Sequence, residues 1–149
     1  MKSKIMYLKN KSNGHNGLAW IGFVEFSKSG QTVYFDNKSL KKLKISGISG
    51  NYFDIETGEE YWVSGVKKNG QDRHPLGSGK IMLDKSSIEE YLKLVDFKTI
   101  SEQKYTITEF SKTDKTRFDI KENAAIELRD ESRQATFYDN NRRKLINSY

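Results

Sequence analysis

Residues 67–80, KKNGQDRHPLGSGK, set five basic side chains, Lys67, Lys68, Arg73, His74 and Lys80, among Gly70, Gly77 and Gly79. Exposed glycine amides and long cationic side chains are what a loop uses to hold phosphate. The spacing is not that of a nucleotide-hydrolysing loop. Ile81 follows Gly79-Lys80 where a magnesium-binding Ser or Thr is needed, and His74 stands where the first glycine belongs. Within the segment, Asp72, Arg73 and His74 are the residue types that serve as acid, charge stabiliser and base in phosphodiester cleavage. On an extended chain only Asp72 and His74 share a face, so an imidazole made more basic by a carboxylate is the most the triplet supplies.

A second resource is aromatic. Tyr7, Trp20, Phe23, Phe26, Tyr34, Phe35, Tyr52, Phe53, Tyr61 and Trp62 are numerous for so short a stretch, and most must form the core. Tyr34, Tyr52 and Tyr61 are the candidates for a surface platform on which bases stack, because their hydroxyls tolerate water. The chain has no cysteine and two histidines, His15 and His74, so thiolate metal sites and disulfides are excluded and no metal or cofactor is expected. No nucleophile elbow or dinucleotide fingerprint occurs. The net charge of +6 suits a polyanionic partner, RNA or single-stranded DNA, and equally a well-solvated mixed surface, since lysine is spread widely and acidic residues are almost as numerous. The apolar run at residues 5–8 is too short for a signal peptide or membrane helix, and the lack of cysteine suits a reducing compartment. A soluble, cytoplasmic protein without membrane partners is the expectation.

The elements that would position these residues are mostly strands. Residues 18–26, LAWIGFVEF, are apolar on both alternating faces, as in a central strand covered on two sides, with Gly22 marking a bend or close approach. Residues 27–31 turn the chain and residues 32–35 return it, with Val33 and Phe35 on one face. The lysine-rich residues 39–48 suit an edge strand blunted by charge, and a short helical turn as well. Residues 51–55 and 59–66 form a hairpin through Thr57-Gly58, a second follows through Asn69-Gly70, and residues 80–83 are a last short strand. In residues 86–95, Ile88, Tyr91, Leu92 and Val95 recur at helical spacing, and Ser86 with Glu89, or Ser87 with Glu90, offers a capping box. This helix is expected to plug the end of the barrel or lie across its open side. Beyond Asp96 glycine disappears. There residues 105–110 pair with 116–120, and 124–129 with 133–138, as hairpins, although Ile120, Ala124 and Leu128 also fit a helix.

The expected fold is therefore mainly β: residues 1–96 form a small SH3-like or half-open antiparallel barrel with one short amphipathic helix, and residues 97–149 a hairpin-rich extension. The segment YFDIETGEEYWVSGVKKNGQDRH, followed by GSGKIMLD and a helix containing EEYL, resembles a widespread bacterial family of small uncharacterised proteins, over residues 1–95 and most specifically over 51–84. Members are sometimes labelled 1-deoxy-D-xylulose-5-phosphate synthase. That label implies thiamine diphosphate, and the acidic metal–diphosphate motif that cofactor needs is missing here. The resemblance thus implies a family without an activity. Three functions are carried forward: a non-enzymatic module presenting the basic loop to nucleic acid; a protein-interaction module, such as an immunity or adaptor protein, using the extension; and a phosphodiester hydrolase.

Overall fold

The computed structural model describes residues 2–12, 17–44, 50–73, 79–96 and 98–118. The chain divides into two compact units, Met1–Thr113 and Asp114–Tyr149. In the second, residues 116–118 form a helical turn, and the Asp114 carboxylate accepts hydrogen bonds from the Thr116 amide and hydroxyl at 3.1 and 2.6 Å. The proposed hairpin partner at residues 116–120 is thus not extended at 116–118, and the hairpin at 124–138 lies outside the described residues.

The first unit contains β1 (Lys2–Asn10), β2 (Ala19–Phe26), β3 (Thr32–Phe35), β4 (Lys38–Lys42), β5 (Tyr52–Asp54), β6 (Glu60–Gly65), β7 (Ile81–Asp84), α1 (Ile88–Leu94) and β8 (Tyr105–Thr108). Six antiparallel strands close a ring in the order β1-β6-β5-β4-β3-β2, because β1 pairs with both β6 and β2. Strands β7 and β8 then add in parallel beside β2. The fold is mainly β, a small closed barrel with one short α-helix among the described residues.

Alternation on β1 and β2 explains this arrangement. Met6, Leu8, Trp20 and Val24 fill the barrel with Val33, Phe35, Leu40, Tyr52, Tyr61 and Val63, while Ile5, Tyr7, Ala19 and Ile21 face outward. That second apolar face needs its own cover, and Ile81, Leu83, Tyr91, Val95 and Tyr105 supply it from β7, α1 and β8. The helical stripe read from the sequence is thus the buried one, but α1 covers the outer face of the barrel wall. Phe110 packs onto the barrel core together with Phe26 and Met82, its ring 5.7 Å from that of Phe35. The Asp84 carboxylate accepts the Phe110 amide at 3.0 Å and Asp36 the Ser111 amide at 2.8 Å, which fixes that segment in place.

Gly22 sits where β2 changes partners: Trp20 and Ile21 pair with β7, whereas Glu25 and Phe26 pair with β3. A Cβ there would lie 2.5 Å from Phe110 Cε2 and 2.7 Å from Asp84 Cβ. Gly22→Ala is expected to cost about 1–3 kcal/mol, the usual penalty of overpacking. A urea midpoint equal to that of the unaltered chain would contradict this close approach.

Several sequence expectations change. The N-terminal residues, where the sequence showed only a short apolar run at 5–8, form the strand that closes the ring. β4 is paired on both sides, with β3 and β5, so it is not an edge; its neighbours shield the backbone that lysines were expected to protect. The turn before it is a two-residue reversal with Asp36 and Asn37 at φ 44° and 58°, a left-handed pair that Asp and Asn tolerate. The hairpin through Gly58 forms, at φ 76° and with the Asp54 carboxylate accepting the Glu56 amide at 2.8 Å. Gly70 does turn the chain, at φ 71°, yet no hairpin results, since β7 runs parallel to β2 instead of returning along β6. The capping box is not made: the Ser86 and Ser87 hydroxyls donate backward to the Asp84 carboxylate and carbonyl at 2.6 and 2.7 Å. The expected boundary at Asp96 falls inside the first unit, because β8 pairs with β7 and extends the same sheet.

Candidate functional site

The loop leaving β6 folds against the start of β8 and leaves a cleft of about 430 Å³. Its walls carry three cations, Lys67, Arg73 and Lys104, and three carboxamides, Asn69, Gln71 and Gln103; among the described residues no acidic side chain lines it. Local hydrogen bonds shape the loop. The Gly70 amide donates to the Lys67 carbonyl at 3.0 Å, the Gln71 amide to the Asn69 side chain at 2.9 Å, and the Lys67 amide to the Asp72 carboxylate at 2.7 Å. Arg73 Nη2 reaches the Gly17 carbonyl at 2.9 Å, tying the loop to the approach of β2. Lys104 arrives from a distant part of the sequence because its carbonyl accepts the Ile81 amide at 2.9 Å where β7 and β8 pair. Among the described residues no carboxylate forms an ion pair with Lys67, Lys68, Lys80 or Lys104.

Behind the cleft wall lies a buried polar cluster. Tyr91 and Tyr105 share a hydrogen bond between hydroxyls of 2.8 Å. Asp72 is 9% exposed and Tyr7 3%, and among the described residues neither Asp72 Oδ2 nor the Tyr7 hydroxyl has a hydrogen-bond partner. Burial holds the Asp72 carboxyl above the usual aspartate range, against the stabilising Lys67 amide and ammonium. Burial also raises the Tyr7 phenol, with nearby Arg73 opposing and Asp72 reinforcing the shift. An acid with a raised folded-state value binds its proton more tightly when folded, so stability falls as pH rises through that window. Asp72→Asn keeps an acceptor for the Lys67 amide and removes the charge. Its urea midpoint is expected to match the unaltered chain below the usual aspartate range and to equal or exceed it at neutral pH. An Asp72→Asn midpoint below that of the unaltered chain at neutral pH would refute this account.

Lys9, on β1, is a buried cation that the field of Arg73 reaches. It is 2% exposed, and burial, then the charges of Lys11 and Arg73, lower its ammonium to about 8.

The residues singled out from sequence are only partly brought together. Lys67 and Arg73 line the cleft, joined by Lys104, Gln71 and Gln103, which composition did not single out. Lys68 is exposed with its carbonyl bonded to the Asp96 amide at 3.1 Å, and Lys80 is exposed before β7, outside the cleft wall. His74 lies outside the described residues. Asp72 is buried behind the wall. Tyr34 is half-buried on β3.

Two proposed stacking residues are corrected. Tyr61 stands inside the barrel, stacked 5.9 Å from Trp20, and burial pushes its phenol up to about 12. Tyr52 is 7% exposed and donates to the Gly30 carbonyl at 3.2 Å. Among the described residues the aromatic that does face solvent is Trp62, 44% exposed. The lysines of residues 38–44 do not join the cleft either. β4 is separated from β1 by two strands in each direction round the ring, and Lys38 is bent over the Trp20 and Phe35 rings at 5.5 and 5.2 Å while paired with Asp36 at 3.4 Å.

Fold and site together define a small closed β-barrel with a parallel β-α-β flank and a cationic cleft at their junction. Comparison with family models, with curated proteins and with solved structures finds no match to this chain. Among the described residues no helix is long and apolar enough to cross a membrane.

Proposed function

We propose that this chain is a non-catalytic binding module that holds a short stretch of single-stranded nucleic acid, RNA or DNA, at the cleft. The observation that carries the reading is the cleft wall itself: three cations and three carboxamides, with no acidic side chain among its described lining residues. Cations attract phosphates and carboxamides offer donors and acceptors to sugar and base edges, the combination single-strand binders use. The distance of the β4 lysines round the ring argues for a compact footprint rather than a strand wrapped about the barrel.

The same separation of the two basic segments favours, as the second reading, a protein-interaction module of the immunity or adaptor kind. The two part company in one experiment. Fluorescence anisotropy of labelled oligouridine and oligothymidine, titrated with the full chain at low salt, is expected to show saturable binding that weakens as salt rises. No binding, or binding indifferent to salt, would remove the nucleic-acid reading and leave the protein-interaction one.

A further inference from the structure

An exposed tryptophan needs a reason in a chain whose other large rings are mostly buried. Trp62 is 44% exposed, whereas Trp20 is 6% and Tyr61 2%. It lies on the outer face of β6, because its neighbours Tyr61 and Val63 point into the barrel. Its position is fixed from both sides. Trp62 pairs across the ladder with Lys9, and on the other flank Asn51 locks the strand, exchanging hydrogen bonds with the Val63 amide and carbonyl at 2.8 and 2.9 Å. The indole is thus presented on a rigid sheet rather than on a loop, which reduces the ordering cost of any ligand laid on it.

The charge beside it is positive. Lys9 lies on the outer face of β1 and Lys11 follows just beyond its end, and the field of Arg73 reaches Lys9. Arg73 also lines the cleft, as does Lys67, which follows the end of β6 by two residues. On the same face of β6, Glu60 accepts the Gly50 amide at 3.1 Å. An aromatic plane bordered by cations is the combination that holds an unpaired base by stacking while its phosphates are neutralised. Sequence reasoning placed the stacking platform on Tyr34, Tyr52 and Tyr61, of which Tyr52 and Tyr61 point into the barrel.

We infer that Trp62 is the stacking platform of this protein, on which one unpaired base of a single strand lies while the adjoining phosphates pass by Arg73 into the cleft. This rests on the nucleic-acid reading above and adds to it the residue that contacts a base. Stacking tolerates every base, so the inference assigns a strand with unpaired bases and no sequence preference.

The two tryptophans of the chain make the test direct. Oligothymidine titrated into the full chain at low salt is expected to quench the Trp62 emission. In Trp62→Phe the remaining emission comes from buried Trp20, and quenching should vanish while binding persists. Trp62→Ala is expected to weaken binding by roughly 5- to 150-fold with an unchanged salt slope. Trp20 emission in each variant reports that the barrel is intact. If oligothymidine binds with salt dependence but Trp62→Ala binds as tightly as the unaltered chain, the platform assignment is wrong and the cleft reading stands. If the unaltered chain binds no oligonucleotide, both fall together.

Discussion

Phe35→Ala is expected to lower the stability of the first unit by about 3–5 kcal/mol, the cost of deleting a fully buried aromatic ring. Phe35 is 2% exposed and sits at the meeting point of the barrel's aromatic side chains. Its ring meets those of Trp20, Tyr61 and Phe110 edge-on at 5.5, 6.1 and 5.7 Å. It also forms, with Trp20, the surface under the Lys38 ammonium. Removing it therefore strips contacts from both the ring of strands and the Phe110 segment that packs onto it. Leu18→Ala is the matched control, since Leu18 is 59% exposed and its truncation should stay within about 0.5 kcal/mol. Urea denaturation followed by far-ultraviolet circular dichroism compares the two; equal midpoints would mean that the ring does not occupy the barrel centre.

The second large effect is electrostatic. Each phosphate neutralised on a single strand contributes roughly −0.7 to the slope of log affinity against log salt. The three cations of the cleft wall thus give a slope of about −2, so raising salt from about 50 to about 200 mM should weaken binding on the order of twentyfold. Lys67→Ala with Lys104→Ala leaves Arg73 alone and should reduce the slope to about −0.7. Both lysines are exposed and make no ion pair among the described residues, so the double variant should keep the stability of the unaltered chain. A slope that survives both substitutions would put the phosphates elsewhere on the molecule.

Much of the local structure was legible. The turns at Gly58 and Gly70 and the helical stripe of Ile88, Tyr91, Leu92 and Val95 follow from residue type and period, which act over a few residues. So does the two-sided burial of β2, whose residues are apolar at both parities. The site was less legible for a definite reason. Tyr61 and Trp62 are adjacent aromatics on one strand, and a pleated strand buries one and exposes the other. Nothing in their chemistry chooses between them. The register with β1, Leu8 opposite Val63 and Lys9 opposite Trp62, makes the choice, and a slip of one residue would reverse it. Lys104 likewise reaches the cleft only through the parallel pairing of β8 with β7.

What the sequence by itself determined is a β-rich chain with glycine turns, one amphipathic helix and a basic loop, since each depends on backbone preference and short-range periodicity. Tertiary structure alone decided that the N-terminal strand closes the ring, that β7 and β8 run parallel outside it, and that Trp62 faces water. Those outcomes come from burying two apolar faces of β1 and β2 at once. That requirement joins residues far apart in the chain, and no local pattern encodes it.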